Sequence, residues 1–166
     1  MLNMPALGIS APPFLSMQMK KVQDIKRALD QVAPAIFNET PILFAYLYGS
    51  YAQGAVHPFS DLDIAIYVEG LDKKSCLDLE LSLGLLLDEK LDHRVQSDVR
   101  VINHLPLVVK GDILAVGELI YSRAEYQRIE FETQVRRVYF DFLPVVQRYR
   151  NAYRKKLLGV QANGLR

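Results

Sequence analysis

The apolar positions of this chain change rhythm along its length, and the changes divide it into elements. Val22, Ile25, Leu29, Val32 and Ile36 recur at spacings of three and four, which predicts an amphipathic helix over 20–36. After Pro41, the run ILFAYLY (42–48) is short and continuously apolar, as in a buried strand, and Gly49 and Ser50 stop it. A small, polar stretch, YAQGAVHPFS (51–60), leads into DLDIAIYV (61–68). There Leu62, Ile64 and Ile66 face one way and Asp61, Asp63 and Ala65 the other. Gly70 and Asp72 mark a turn. Ser75 is a candidate cap for a helix running to about Leu91 that carries Leu79, Leu83, Leu86 and Leu87 toward a core.

Residues 95–102 alternate again, with Val95, Val99 and Val101 opposite Gln96, Asp98 and Arg100. Pro106 suits the start of a short helix and Gly117 a position just past its end. GELIY (117–121) reads as a last short strand. From about Ala124 to Leu158 the pattern is helical, and Pro144 is expected to kink or divide it. Phe131, Val135, Val138, Tyr139, Phe142, Val146, Tyr149, Tyr153 and Leu157 form one continuous stripe. The expected class is α+β, a small mixed sheet with packed helices and a helical C-terminal part. The expected organisation is an N-terminal extension over 1–18 without order, then one domain over 19–166.

Composition adds exclusions. The chain has 166 residues, half of them hydrophobic, and a net charge of +1. It has no global field to draw it to nucleic acid or a membrane. Cys76, the one cysteine, is expected to be a buried apolar residue without a disulfide. No run is long and apolar enough to span a bilayer, because Asp88, Glu89 and Lys90 close the Leu-rich segment 77–87. The first sixteen residues lack a basic start and are broken by Pro5, Pro12 and Pro13, so a signal peptide is not expected and the default location is cytoplasmic.

The candidate chemistry lies between the first two strands. Gly49-Ser50 and Asp61-Leu62-Asp63 are separated by ten residues. Alternation places both carboxylates on one face, where like charges repel and each raises the other's pKa. A hard, oxygen-preferring cation relieves that repulsion, and Mg2+ is the expected ion. Gly49 lets the backbone turn and approach a ligand. Ser50 adds a hydroxyl, and following amides that open a helix would point donors at an anion. A phosphate end joined to a metal end suits nucleotidyl transfer from a triphosphate. The plain alternative is a turn followed by a solvated strand face. Asp98 is the leading candidate for a third carboxylate and general base; Asp88 and Asp92, around the end of the preceding helix, are weaker ones. Arg100 shares its face and is suited either to steady a phosphate or to pair with Asp98. His57 is expected to be a loop residue. The C-terminal basic residues Arg148, Arg150, Arg154, Lys155, Lys156 and Arg166 read first as a solvated helix face, and secondly as a docking surface.

The pattern GS-x10-DxD, a later strand aspartate and the C-terminal segment together resemble the minimal nucleotidyltransferase family of the DNA polymerase β-like superfamily. The resemblance runs from about residue 20 to residue 158. SDVRVINHLPLVVKGDILAVGELIY (97–121) is similar to the family's third-carboxylate strand, short helix and strand, and VYFDFLPVVQRYRNAYRKKL (138–157) to its C-terminal helix. The subgroup it resembles is the MntA-like antitoxins, which are paired with HEPN-domain toxins. The resemblance implies a polymerase β-like fold, with Gly49 and Ser50 contacting the triphosphate of ATP. It also implies that Asp61, Asp63 and Asp98 ligate two Mg2+ ions and that Asp98 deprotonates the acceptor. The implied activity is transfer of AMP to a tyrosine of a HEPN ribonuclease toxin, which silences it. In one departure, Gln53 stands in the loop after Gly-Ser, where many members carry a basic residue. Two other functions compete: an antitoxin that acts by occlusion with a vestigial site, and an aminoglycoside-type small-molecule nucleotidyltransferase.

Overall fold

The computed structural model describes residues 13–163, with side chains from 19 to 156. Of the extension expected over 1–18, residues 1–12 lie outside the described residues. From Pro13 the chain is already helical, and the first helix, α1, runs Pro13–Asn38, beginning before the expected Lys20. Ile25, Leu29, Ala33 and Phe37, each four residues from the last, are its buried edge. The remaining elements are β1 (Ile42–Leu47), α2 (Gly49–Gln53), β2 (Leu62–Val68), α3 (Lys73–Lys90), β3 (Ser97–Val101), α4 (Leu107–Val116), β4 (Glu118–Ser122) and α5 (Glu125–Asn163). A single 3-10 turn, Ile102–His104, links β3 to α4.

The four strands form one mixed sheet in the order β3-β2-β1-β4. β1 pairs antiparallel with β2 and with β4, whereas β2 and β3 run parallel. Alternation along the strands gives the sheet two apolar faces. Ala45, Leu47, Leu62, Ile64 and Ile66 pack against α1 and α3, and Phe44, Tyr46 and Ala65 pack with Ile113 and Leu114 of α4 and Val135 of α5. Both faces are therefore covered, and Ala65, on the side of the aspartates, is as fully buried as Ile64.

Three local expectations change. α3 begins at Lys73, and Asp72 caps it in place of Ser75: the Asp72 Oδ1 atom accepts from the Ser75 N–H at 2.7 Å. Aspartate is as good a cap as serine, and it stands where the helix starts. Leu83 and Leu87 are buried as expected, but Leu86 is exposed. The α5 stripe is not one buried line. Val135 and Tyr139 are buried, whereas Val138, Phe142, Tyr149 and Tyr153 face solvent; the Leu157 side chain lies outside the described residues. The helix also continues through Pro144 without dividing. Cys76 is buried as expected.

Carboxylates of α3 hold the outer side of β3. Asp88 Oδ1 accepts from the Ser97 N–H at 2.7 Å, and Glu80 Oε1 from the Val101 N–H at 2.6 Å. Two contacts tie α5 to α4. The Tyr139 ring lies where a Cβ on Gly111 would sit, within 2.1 Å of a ring carbon, and its hydroxyl donates to Asp112 at 2.7 Å. Arg150 donates to the other Asp112 oxygen at 2.8 Å. Gly111→Ala must therefore displace a buried ring from helix backbone, and it should destabilise the protein by about 1–3 kcal/mol, the usual cost of overpacking. Urea unfolding monitored by circular dichroism will measure the loss.

Candidate functional site

The site is built at the ends of β1, β2 and β3. Gly49 leaves β1 with a φ of +66°, in the left-handed region that glycine occupies without strain. The turn is also crowded: a Cβ at Gly49 would sit 1.9 Å from Asp63 Oδ2. The Tyr48 N–H donates to the Asp63 carbonyl at 2.9 Å, which fixes the two segments side by side. Gly49 and Ser50 then open α2, so the Gly-Ser turn and the first aspartate strand share a wall.

Asp61 is exposed and Asp63 half-buried. In the parallel pairing of β2 with β3, Asp63 stands directly beside Asp98, and Ala65 beside Arg100. The structure thus brings Asp61, Asp63 and Asp98 into one electrostatic neighbourhood. Burial first, then the charges of Asp98 and Asp61, push the Asp63 carboxyl above its ordinary value. Asp98 also holds Arg100 in an ion pair at 2.9 Å, with both side chains about half exposed. Of the two readings of Arg100, the structure shows the pairing. Among the described residues, no three acidic, histidine or cysteine side chains converge into a ready-made metal cage. The donors are nonetheless all carboxylate oxygens held in mutual repulsion, a set suited in chemistry to a hard divalent cation.

Tyr48 is a neighbour of the site that the sequence reading did not single out. Its hydroxyl is pushed up to about 12, by burial and then by Asp63 and Asp98. The signal was present in the strand period, since Tyr48 follows Phe44 and Tyr46 on the face the aspartates share. His57 stays in its loop, where its Nδ1 accepts from the Phe59 N–H at 3.2 Å and its own N–H donates to Ser60 Oγ at 2.9 Å. Asp88 is engaged with Ser97 as described above, and Asp92 sits in a left-handed turn with φ of 55°.

A pH dependence follows from Asp63. A carboxyl whose folded pKa lies above its unfolded value favours the protonated state, so stability falls as pH rises from the unfolded pKa through the folded one. Asp63→Asn should therefore melt at a higher temperature than the parent protein at pH 7 in the presence of a chelator. The gain should vanish below about pH 4, where the unfolded carboxyl is itself protonated. Thermal melts across that pH range are the measurement.

No curated protein matches the chain. Among solved structures, an MntA–HpeT toxin–antitoxin complex carrying a mutation is similar in fold. It shares 20% identity over 82% of this chain and 98% of that one, with a TM-score of 0.50. A toxin–antitoxin crystallised with AMP-PNP shares 20% identity over 84% and 98% of the two chains, at a TM-score of 0.49. A tri-AMPylated HEPN toxin in complex with its MNT antitoxin, from Shewanella oneidensis, gives 18% identity over 85% and 98%, at 0.47. The family model described as polymerase beta, nucleotidyltransferase matches residues 30–126, a segment that contains the Gly-Ser turn and all three aspartates. More than half of the chain is thus accounted for, and it belongs to the polymerase beta nucleotidyltransferase family.

Proposed function

We propose that this protein is a cytoplasmic, metal-dependent adenylyltransferase that transfers AMP from ATP to a tyrosine of a HEPN-domain toxin. The observation that carries the reading is the contact of the Gly49 turn with Asp63, while Asp98 stands beside Asp63 in the parallel register. A phosphate-binding turn and a carboxylate cluster then face the same small volume. Membership of a nucleotidyltransferase family supports the reaction type, and the fold shared with an MntA–toxin complex motivates the partner. Among the described residues, no helix is long and apolar enough to cross a membrane.

In this reading, Gly49 and Ser50 bind the triphosphate through backbone amides and the serine hydroxyl. Asp61, Asp63 and Asp98 would hold two Mg2+ ions, which would offset the triphosphate charge and lower the pKa of the acceptor hydroxyl. The acceptor oxygen forms a bond to the α-phosphorus as the bond from that phosphorus to the bridging oxygen breaks. Pyrophosphate carries the electron pair away, and the hydroxyl proton passes to Asp98. Arg100 holds the Asp98 carboxylate in place until that proton arrives.

One observation favours a second reading, neutralisation by binding alone. The distal part of α5 exposes Phe142, Tyr149 and Tyr153 (44%, 73% and 55%), and from Phe142 to Lys156 it carries no acidic residue. The same variant separates the two readings. Asp61→Ala combined with Asp63→Ala should reduce labelling of the toxin by labelled ATP and Mg2+ at least about a thousandfold, the scale lost with essential catalytic groups. If that variant still protects cells from the toxin, binding alone suffices.

A further inference from the structure

Asp61 borders two grooves at once. A cavity of about 1300 Å3 opens on one side of it, toward α1 and the 57–60 turn. On the other side a groove of about 580 Å3 runs between α3 and β3, the strand at the edge of the sheet, and takes in Asp98 and Arg100. Its α3 wall carries Leu77, Leu81 and Leu85. These leucines are 52%, 62% and 72% exposed, although α3 already buries Cys76, Leu83 and Leu87 in the core. At spacings of four they stack as one stripe. A single exposed leucine is ordinary, but a contiguous apolar stripe on a groove wall marks a contact surface.

We propose that this groove docks the acceptor polypeptide, holding an apolar, basic segment whose hydroxyl reaches Asp98; the inference rests on the adenylyltransferase reading above. Strand order supplies the side of entry. The Gly49 turn, taken to hold the triphosphate, follows β1; Asp61 and Asp63 belong to β2; Asp98 lies on β3, beyond them. An in-line displacement needs the attacking oxygen opposite the leaving pyrophosphate, which is the β3 side. The occupant follows from the lining. Three leucines suit an apolar segment rather than a polyhydroxylated sugar. With Asp61 and Asp98 taken as metal ligands, Glu80 and Asp88 still outweigh Arg100 on its lining, so the groove is complementary to positive charge.

The test uses the full chain and a synthetic amphipathic peptide with leucines at every third or fourth position, lysines elsewhere and one tyrosine. An otherwise identical peptide with glutamates in place of the lysines is the comparison. Methyl NMR should show the basic peptide perturbing Leu77, Leu81 and Leu85. Leu81→Arg should weaken its binding at least tenfold, and Leu85→Ser severalfold, whereas Tyr149→Arg on α5 should not. With labelled ATP and Mg2+, Leu81→Arg should raise the KM for the peptide and leave kcat at saturation unchanged. Both leucines are mostly exposed, so the variants should melt as the parent does. Perturbation confined to α5, equal binding of the acidic peptide, or unchanged affinity in Leu81→Arg would overturn the docking surface even if labelling is normal. A peptide bound in the groove yet never labelled, by a parent protein that does label the toxin, would overturn the acceptor assignment, whereas failure to label the toxin as well would overturn the transferase reading.

Discussion

The close approach of Gly49 to Asp63 is the constraint on which the rest of the site depends. No side chain fits between the turn after β1 and the carboxylate of β2, and the backbone bond from Tyr48 to Asp63 keeps them together. Because β2 is shared between an antiparallel partner and a parallel one, the same strand that meets the glycine also sets Asp98 beside Asp63. One residue, Asp63, is therefore where the turn, the carboxylate pair and the sheet register coincide. Its carboxyl is pushed up by burial first and then by the charges of Asp98 and Asp61, and a bound cation would offset that repulsion.

The sheet can carry this concentration of charge because the core lies elsewhere. Two apolar layers, α1 with α3 and α4 with α5, bury both faces of the central strands. The ionisable groups are left to the strand ends, where they keep partial access to water. Tyr48 lies at the boundary between the two regimes. It packs against the second apolar layer, and burial first, then Asp63 and Asp98, push its hydroxyl up.

Much of this was legible in the chain. Alternation over 61–68 and 95–102 placed Asp61, Asp63, Asp98 and Arg100, because strand period dictates a face regardless of tertiary context. The helix between Pro106 and Gly117 was legible for a similar reason, since its boundary residues act locally. What periodicity cannot say is what covers a face. Period groups Ala65 with Asp61 and Asp63, but α4 and α5 cover that part of the sheet. The α5 stripe is uniform in sequence, but only Val135 and Tyr139 in its first part are buried, and Tyr149 and Tyr153 stay outside. Period puts Tyr48 on the face of the aspartates, but an apolar run advertises burial rather than proximity to charge. The bonds from Glu80 and Asp88 to β3 span 21 and 9 residues, and no local pattern announces such pairs.

Those two bonds act as a ruler. They clamp β3 to α3 at Ser97 and at Val101, with Asp98 between the clamped positions. The placement of Asp98 along its strand is thereby held by α3 as well as by the pairing with β2. Leu91 and Val95 anchor the turn at 91–96 in the core, so only its exposed residues 92–94 can change without carrying Asp98 out of step with the other two carboxylates.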